Sequence, residues 1–191
     1  MTLIRKVTPE DWEALRDIRL RALRDSPDAF GSTYAEAIGY ADQVWRSRAA
    51  GGNMFFALPD DGHHQNDGHH QNDGYHQNDG HHQDHGHHQD GGHTAPVGLA
   101  GGYREESGEV ELISMWVAPE ARGQGAGDAL VEAVAAWAAA THHADILYLW
   151  VTETNGPALR LYERLGFRRT GARQPLPSNP ALHEIAMSRL I

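Results

Sequence analysis

Residues 117–127 read V-A-P-E-A-R-G-Q-G-A-G and join a predicted strand at 109–117 to a predicted helix at 126–141. Three glycines in this stretch remove side chains, so backbone N–H groups can approach a ligand closely. The start of a helix adds unsatisfied N–H donors and the positive end of the helix dipole, a combination that binds phosphate groups. Arg122 adds a planar cation suited to the same anion. The stretch therefore predicts a phosphate-binding turn between a strand and a helix.

On its residues alone, this turn has three interpretations: a dinucleotide fingerprint, a cradle for the pyrophosphate of coenzyme A, or a flexible connection. No G-K-[ST] follows the glycines, which excludes the loop of nucleoside triphosphatases. A dinucleotide site typically has GxGxxG in a βαβ unit, whereas the spacing here is GxGxG after a proline and an arginine.

A family resemblance favours the second interpretation. R-G-Q-G-A-G at 122–127 resembles the [RQ]-x-x-G-x-[GA] signature of the GCN5-related N-acetyltransferase (GNAT) family. N-G-P-A-L-R-L-Y-E-R-L-G-F at 155–167 resembles the family's N-x-x-A-x-x-L-Y-x-x-x-G-F element at every named position. The two motifs flank the apolar segment 146–152, and the resemblance covers essentially the whole chain outside 59–95. It implies transfer of an acetyl group from acetyl-CoA to a primary amine by direct nucleophilic attack.

The hydrophobic pattern along the chain predicts one α/β domain over residues 1–191. Together with the resemblance, it predicts a GNAT fold, with a mixed, mostly antiparallel central sheet flanked by helices. The predicted strands are 2–7, 54–58, 96–104, 109–117, 146–152, 167–174 and 182–190. The predicted helices are 8–25, 33–49, 126–141 and 155–165, the second of which contains Gly39.

The resemblance also implies roles for individual residues. Loop amides hold the pyrophosphate, the preceding strand pairs with the pantetheine arm, and an asparagine contacts that arm; the strands at 109–117 and 146–152 splay apart to admit the thioester. The cofactor-binding residues so implied are Met115, Trp116, Val117, Arg122, Gly123, Gln124, Gly125, Ala126, Gly127 and Asn155. Tyr162 matches the tyrosine that protonates the departing thiolate.

The reaction needs a base, because an ammonium cannot attack a thioester until it loses a proton. Glu111 lies on the strand leading into the glycine loop, where some family members carry a catalytic glutamate. Glu109 shares its strand face, and Glu153 is a weaker candidate of the same type. A water chain is the alternative base, and an exposed, merely solvated Glu111 is the alternative interpretation of that residue.

In the family, the segment between the first two helices usually recognises the acceptor. Here that segment is 28–36, and Phe30, Tyr34 and Glu36 are its candidate substrate residues. Packing is the plainer interpretation of Phe30. The acceptor is predicted to be a small-molecule amine or a peptide amine, and because dimerisation is common in the family, a homodimer is a further expectation.

A histidine-rich insert interrupts the domain at residues 59–95, with 11 of the 14 histidines and seven aspartates. Its six-residue unit, G-H-H-Q-N-D, builds no apolar face, so the insert is expected to be disordered. Imidazoles suit zinc, nickel or copper. The candidate ligands are His63, His64, His69, His70, His81, His82, His87 and His88. The alternative function is therefore metal storage or sensing on an acyl-CoA-binding scaffold; a neutral low-complexity segment is the competing interpretation, and a catalytic metal is not expected.

Composition bounds the remaining functions. Seven of the ten net negative charges come from the insert, so the rest of the chain carries about −3 and has no basic face for nucleic acid. The chain has no cysteine, which excludes disulfides and thiolate metal sites. No apolar run approaches the roughly 18 residues of a membrane span, and no signal peptide is evident. The expected location is the cytoplasm.

Overall fold

The computed structural model describes residues 2–59 and 94–191. The strands are β1 (Leu3–Lys6), β2 (Met54–Leu58), β3 (Gly98–Arg104), β4 (Val110–Val117), β5 (Ile146–Thr152), β6 (Arg168–Leu176) and β7 (Asn179–Leu190). The helices are α1 (Trp12–Asp25), α2 (Tyr34–Ala37), α3 (Asp42–Ala50), α4 (Ala126–His142) and α5 (Gly156–Arg164), with short 3₁₀ turns between some elements. Among these described helices, none combines the length and apolarity needed to cross a bilayer.

The described strands form one mixed sheet in the order β1-β2-β3-β4-β5-β7-β6. Neighbouring strands are antiparallel except β4 and β5, which run parallel and are connected through α4. The prediction of an α/β fold with a mixed, mostly antiparallel sheet is confirmed.

Helices cover both faces of the sheet. On one face, α4 and α5 pack over a core that includes the buried side chains Val134, Leu149 and Phe167. On the other face, α1 and α3 bury Leu15 and Trp45 against β2, β3 and β4. Strands β2 to β4 therefore lie between two helical layers, with α4 beginning at one end of β4.

The single helix predicted over 33–49 is wrong, because the structure has two helices there. Thr33 and Glu36 form a capping box that starts α2: the Thr33 amide donates to the Glu36 carboxylate at 2.8 Å, and the Glu36 amide donates to the Thr33 hydroxyl at 3.2 Å. After Ala37 the chain turns through Gly39, and Ala41 is extended before α3 begins. Glycine in a helix interior is unfavourable by about 1 kcal/mol, which favours the break.

The last hairpin is longer than predicted. β6 and β7 continue to a tight turn in which Leu176 pairs with Asn179, so β7 begins three residues before the predicted start. Pro175 is tolerated because β6 is an edge strand, where a missing N–H donor breaks no ladder bond on the solvent side, and Pro180 lies in β7 before its pairing with β5 begins at Glu184.

Close packing of α4 on β3 gives the first testable prediction. A Cβ atom at Gly102 would lie 2.2 Å from Cζ3 of Trp137, so the variant Gly102→Ala forces the indole to move. Overpacking of this kind costs about 1–3 kcal/mol, and we expect the free energy of unfolding in a urea titration to fall by that amount. The control Gly39→Ala, whose Cβ would lie 3.4 Å from the Glu36 carbonyl oxygen, should change it by less than about 0.5 kcal/mol. Equal stability of the two variants would contradict the packing described.

Candidate active site

β4 carries one extra residue opposite β3. Gly101 pairs with Ile113 and Leu99 pairs with Trp116, so three steps along β4 match two along β3. Ser114, inside this interval, has a φ of 57°, in the left-handed region that a bulge commonly requires. Since side chains alternate along a strand, the bulge turns Trp116 toward α1 and away from α4.

β4 and β5 separate just before this bulge. In the described chain their parallel pairing comprises Val110 with Leu147 and Glu111 with Tyr148. Beyond these pairs a cavity of about 640 Å³, which we call the first cavity, opens between the two strands. It lies where the family resemblance implies a splay between segments 109–117 and 146–152.

The first cavity brings together most of the predicted cofactor and catalytic residues, together with one predicted substrate residue, Phe30. Those on its wall are Phe30, Met115, Trp116, Val117, Arg122, Gly123, Gly125, Gly127, Asn155 and Tyr162. Gln124 and Ala126 belong to the same loop but lie off the wall: the Gln124 side chain donates to the Glu120 carbonyl at 3.0 Å, and Ala126 is buried.

The loop before α4 presents bare backbone to the first cavity. Gly123 and Gly125 have φ angles of 76° and 84°, and Gly125 is the N-cap of the 17-residue helix. A Cβ atom at either glycine would meet nothing within 4 Å among residues 2–59 and 94–191, so with respect to this part of the chain both face open space. A Cβ at Gly127 would lie 3.3 Å from Leu161, which shows how closely α4 and α5 approach. This arrangement can bind an anion through N–H groups and the helix dipole.

Arg122 is held in place by α1. Its Nε donates to the Val117 carbonyl at 2.9 Å, and its Nη2 donates to Asp25 at 2.7 Å. The Trp116 indole donates to the same carboxylate at 3.0 Å, and this bond, followed by bonds from Ser26 and Arg122, lowers the pKa of Asp25. Arg122 therefore braces the loop as well as bordering the first cavity.

Asn155 and Tyr162 come from α5. The Asn155 side chain accepts a hydrogen bond from the Ala158 amide at 3.2 Å and so caps the helix, which leaves its NH₂ group for a ligand. Tyr162 is buried and packs edge-on against Phe167 at 5.7 Å between ring centroids. Burial raises the pKa of the Tyr162 phenol, so the hydroxyl on the cavity wall remains a proton donor at neutral pH.

Glu111 lies on the opposite face of the sheet from α4. Its neighbours Val110 and Leu112 are in the α4 core, so alternation places its half-buried side chain on the other side. Burial raises the pKa of Glu111 to about 7, and the charges of Glu105 and Glu184 add to the effect. The pKa of this carboxyl group thus lies near neutral pH, which suits a general base. Glu111 is not on the wall of the first cavity as the described chain defines it.

The two other predicted carboxylates differ from Glu111 in their surroundings. Glu109 is exposed before β4 begins and accepts a hydrogen bond from Ser107. Glu153 forms a bidentate ion pair with Arg173 at 2.9 Å, and the hydrogen bond from Arg173 lowers the pKa of Glu153. A carboxylate whose pKa is lowered is a weaker base.

The predicted substrate residues divide into two groups. Phe30 is buried and borders the first cavity. The Tyr34 hydroxyl accepts a hydrogen bond from Arg24, and the Glu36 carboxylate caps α2. Within the described chain, neither Tyr34 nor Glu36 reaches the cavity wall.

The predicted metal ligands, His63, His64, His69, His70, His81, His82, His87 and His88, lie outside the described residues. Residues 2–59 and 94–191 hold no cluster of three or more side chains from histidine, aspartate and glutamate suited to a metal ion.

Sequence reasoning missed Asp25 and Trp150. Asp25 contacts Trp116 and Arg122 across 91 and 97 positions of the chain, so no local pattern marks it as a brace. Trp150 borders the first cavity from the middle of an apolar strand, where its pattern is that of any core residue.

Comparison with known proteins gives a family match and structural neighbours. The model of the acetyltransferase (GNAT) family matches residues 53–167, more than half of the chain. A GCN5-related N-acetyltransferase from Kribbella flavida is similar, with a TM-score of 0.66 and 20% identity, covering 100% of this chain and 98% of that chain. An acetyltransferase of the GNAT family from Streptococcus pneumoniae has a TM-score of 0.66 and 16% identity, covering 100% and 99%. The ribosomal-protein-S18-alanine N-acetyltransferase from Escherichia coli has a TM-score of 0.58 and 17% identity, covering 100% and 94%. At these identities the solved neighbours establish the fold.

Proposed function

Because this chain belongs to the acetyltransferase (GNAT) family, we propose that it transfers the acetyl group of acetyl-CoA to a primary amine, which attacks the thioester directly. The observation that carries the proposal is one cavity, bordered by the glycine loop of α4, by the free edge of β4 and by Tyr162. An anion site, an edge for an extended arm and a proton donor are the parts that such a transfer needs.

The wall of the first cavity fits the carrier. Its volume of about 640 Å³ is typical of small-molecule sites. The amides around Gly123 and Gly125 would hold the pyrophosphate, because no side chain stands between them and the ligand. Met115 to Val117 lie beyond the last pair with β5, so this edge of β4 is available for the amides of the pantetheine arm.

The first cavity passes through the sheet. Val151 and Met115 border it from the α4 side, whereas Trp150 and Trp116 border it from the opposite side. The carrier and the amine can therefore approach the thioester carbon from different faces. Glu111 lies on the face from which the amine would enter.

Two side chains, Glu111 and Tyr162, transfer protons in the reaction. Glu111 accepts a proton from the ammonium form of the acceptor, and the free amine nitrogen then bonds to the thioester carbon as the carbon–sulfur bond breaks. Tyr162 donates its proton to the departing thiolate and is reprotonated from solvent. The proton on Glu111 and the second amine proton pass to solvent, so the products are an amide and a free thiol. The chain has no cysteine to form an acyl-enzyme, which favours the direct route.

Binding of acetyl-CoA to the ligand-free protein tests the proposal by calorimetry. The variant Gly125→Ala places a methyl group in the open space of the loop and strains a backbone with φ of 84°. We expect its Kd for acetyl-CoA to rise about tenfold or more, since the pyrophosphate loses its close approach to the amides.

The matched control is Gly171→Ala in β6. Gly171 has a φ of 93°, and a Cβ there would also meet nothing within 4 Å, but it lies away from the first cavity. The control should lose similar stability and keep its affinity for acetyl-CoA. Absence of acetyl-CoA binding by the unmodified protein would overturn the proposed function.

A further inference from the structure

A second cavity, of about 500 Å³, lies on the other side of the sheet from α4. It is enclosed by α1, α3, the ends of β2 and β3, and the bulge of β4. The residues that matter below are Arg19, Arg48, Tyr103, Ile113 and Ser114. The transfer chemistry described above does not use Arg19 or Arg48.

Within residues 2–59 and 94–191, Arg19 is a cation without a counterion. Its Nη2 donates to the Ser32 hydroxyl at 2.9 Å, but its Nη1 is buried and has no hydrogen-bond partner among residues 2–59 and 94–191. Burial lowers the pKa of Arg19 to about 10, and the nearby charge of Arg48 lowers it further than the Tyr40 hydroxyl raises it. A buried donor that lacks a partner is costly unless a ligand satisfies it.

Arg48 provides a second positive charge at the same cavity. Its guanidinium lies over the rings of Tyr40 and Trp45, at 5.0 Å and 5.2 Å from their centroids. In the part of the chain that the structure describes, neither arginine forms an ion pair with a carboxylate. Two like charges facing one cavity repel each other, and an anion placed between them would remove the repulsion.

The second cavity adjoins the reaction site. The Arg19 guanidinium stacks on Phe30, at 4.3 Å from the ring centroid, and Phe30 also borders the first cavity. Ser114 borders the second cavity and the next residue, Met115, borders the first. Tyr103, on the wall of the second cavity, is the register partner of Glu111. An acceptor whose amine lies near Glu111 would therefore extend its other end toward the two arginines.

We infer that the acceptor is a small amino carboxylate, whose carboxylate pairs with Arg19 and Arg48 in the second cavity while its amine faces the bulge of β4. The inference rests on the proposed acetyl transfer. The guanidinium fork of arginine matches a carboxylate with two parallel hydrogen bonds, and the unsatisfied Nη1 of Arg19 supplies a donor for one of them. A cavity of about 500 Å³ accommodates an amino acid but leaves little room for a folded polypeptide.

The test compares each of the common amino acids with its carboxamide as acceptor, by the rate of thiol release from acetyl-CoA. For the best acceptor pair, kcat/KM for the acid should exceed that for the amide about tenfold or more, as expected for losing a charged hydrogen bond. The amine of the amide loses its proton more readily, so basicity acts against the expected result.

Three arginine variants complete the experiment. Arg19→Gln and Arg48→Gln should each bring the ratio of acid to amide close to one. Arg46→Gln removes a charge from α3, the helix that carries Arg48. Arg46 stacks on Trp12 at 3.9 Å outside the second cavity, so this variant should keep the ratio of acid to amide. Arg48 is exposed, so its variant remains informative should Arg19→Gln fail to fold.

Acetylation of an amide as efficiently as its acid overturns the inference. A ratio of acid to amide that stays unchanged in both Arg19→Gln and Arg48→Gln also overturns it. So does turnover confined to amines that lack a carboxylate, such as polyamines or neutral peptide N-termini, although the proposed function then stands. Failure of the unmodified protein to bind acetyl-CoA in calorimetry overturns both.

Discussion

Tyr162→Phe is expected to lower kcat about 100-fold while leaving the KM for acetyl-CoA within about twofold, because general acid catalysis contributes about 10²–10⁴ to rates of this kind. The ring of Tyr162 is buried beside Phe167, and phenylalanine preserves that packing. Only the hydroxyl group is lost, and with it the proton that we propose for the departing thiolate. Steady-state kinetics with saturating acceptor measures the change.

The pH profile of the unmodified protein gives a second test of Tyr162. Burial raises the pKa of Tyr162 above its ordinary value, so the unmodified enzyme should show no loss of its acid up to about pH 10. Tyr40→Phe is the matched control for the kcat measurement. In the described chain Tyr40 borders neither cavity, so loss of its hydroxyl should leave kcat unchanged. Full activity of Tyr162→Phe would assign proton delivery to water.

Glu111→Gln is expected to lower kcat/KM about 100-fold at pH 8 and to remove an activity rise centred near pH 7. The base must be ionised to accept a proton, and burial together with Glu105 and Glu184 raises the pKa of Glu111 to about 7. The unmodified enzyme should therefore gain activity as pH increases through 7 and level off above it. Glu109→Gln, which removes an exposed carboxylate from the same segment, should leave this profile unchanged.

The variant Glu184→Gln tests whether the activity rise near pH 7 comes from Glu111 or from the acceptor amine. Glu184 is buried, and its negative charge helps to raise the pKa of Glu111. Glu184→Gln removes this charge, so the midpoint should move to lower pH. A midpoint that follows the pKa of each acceptor amine, and ignores Glu184→Gln, would contradict the assignment of Glu111 as the base.

The same carboxyl group makes stability depend on pH. Because the pKa of Glu111 is about 7 in the folded chain against an ordinary value of 4.5, the folded state binds more protons between these values. The free energy of unfolding contributed by Glu111 therefore falls as pH rises from about 4.5 to about 7. Glu111→Gln should lack this component in denaturant titrations at several pH values.

Local sequence predicts the parts of the site that depend on neighbouring residues. The glycines of the loop and the cap of α5 are close together in the chain, and both lie on the wall of the first cavity. Hydrophobic spacing likewise locates α1, α4 and β5 within a few residues. Local sequence predicts element boundaries less well where one glycine or several prolines interrupt the hydrophobic pattern. The break before α3 and the extension of β7 are the two cases.

The remaining properties depend on contacts between distant segments. The pKa of Glu111 is raised first by its burial in the folded sheet, and Glu184, which belongs to another strand, adds to the effect. Arg19 looks like one of several surface arginines of an amphipathic helix, and only the packing of α1 on the sheet shows that its Nη1 is buried without a partner. A sequence pattern records neither distance nor burial between such segments, so the second cavity had no signature in the sequence.

The bulge at Ser114 acts as a one-residue phase shift in β4. Residues before it and residues after it follow opposite odd–even rules for which face of the sheet they occupy. An alignment with relatives that lack the bulge must therefore open a gap at this position, because without the gap it would exchange Met115 with Trp116. Deletion of Ser114 would remove the extra residue and leave the indole on its present face, whereas a regular strand that kept Ser114 in the ladder would point the indole at α4 and remove it from Asp25, which also holds Arg122. Because of this one extra residue, even-numbered side chains of β4 face α4 before the bulge, and odd-numbered side chains face α4 after it.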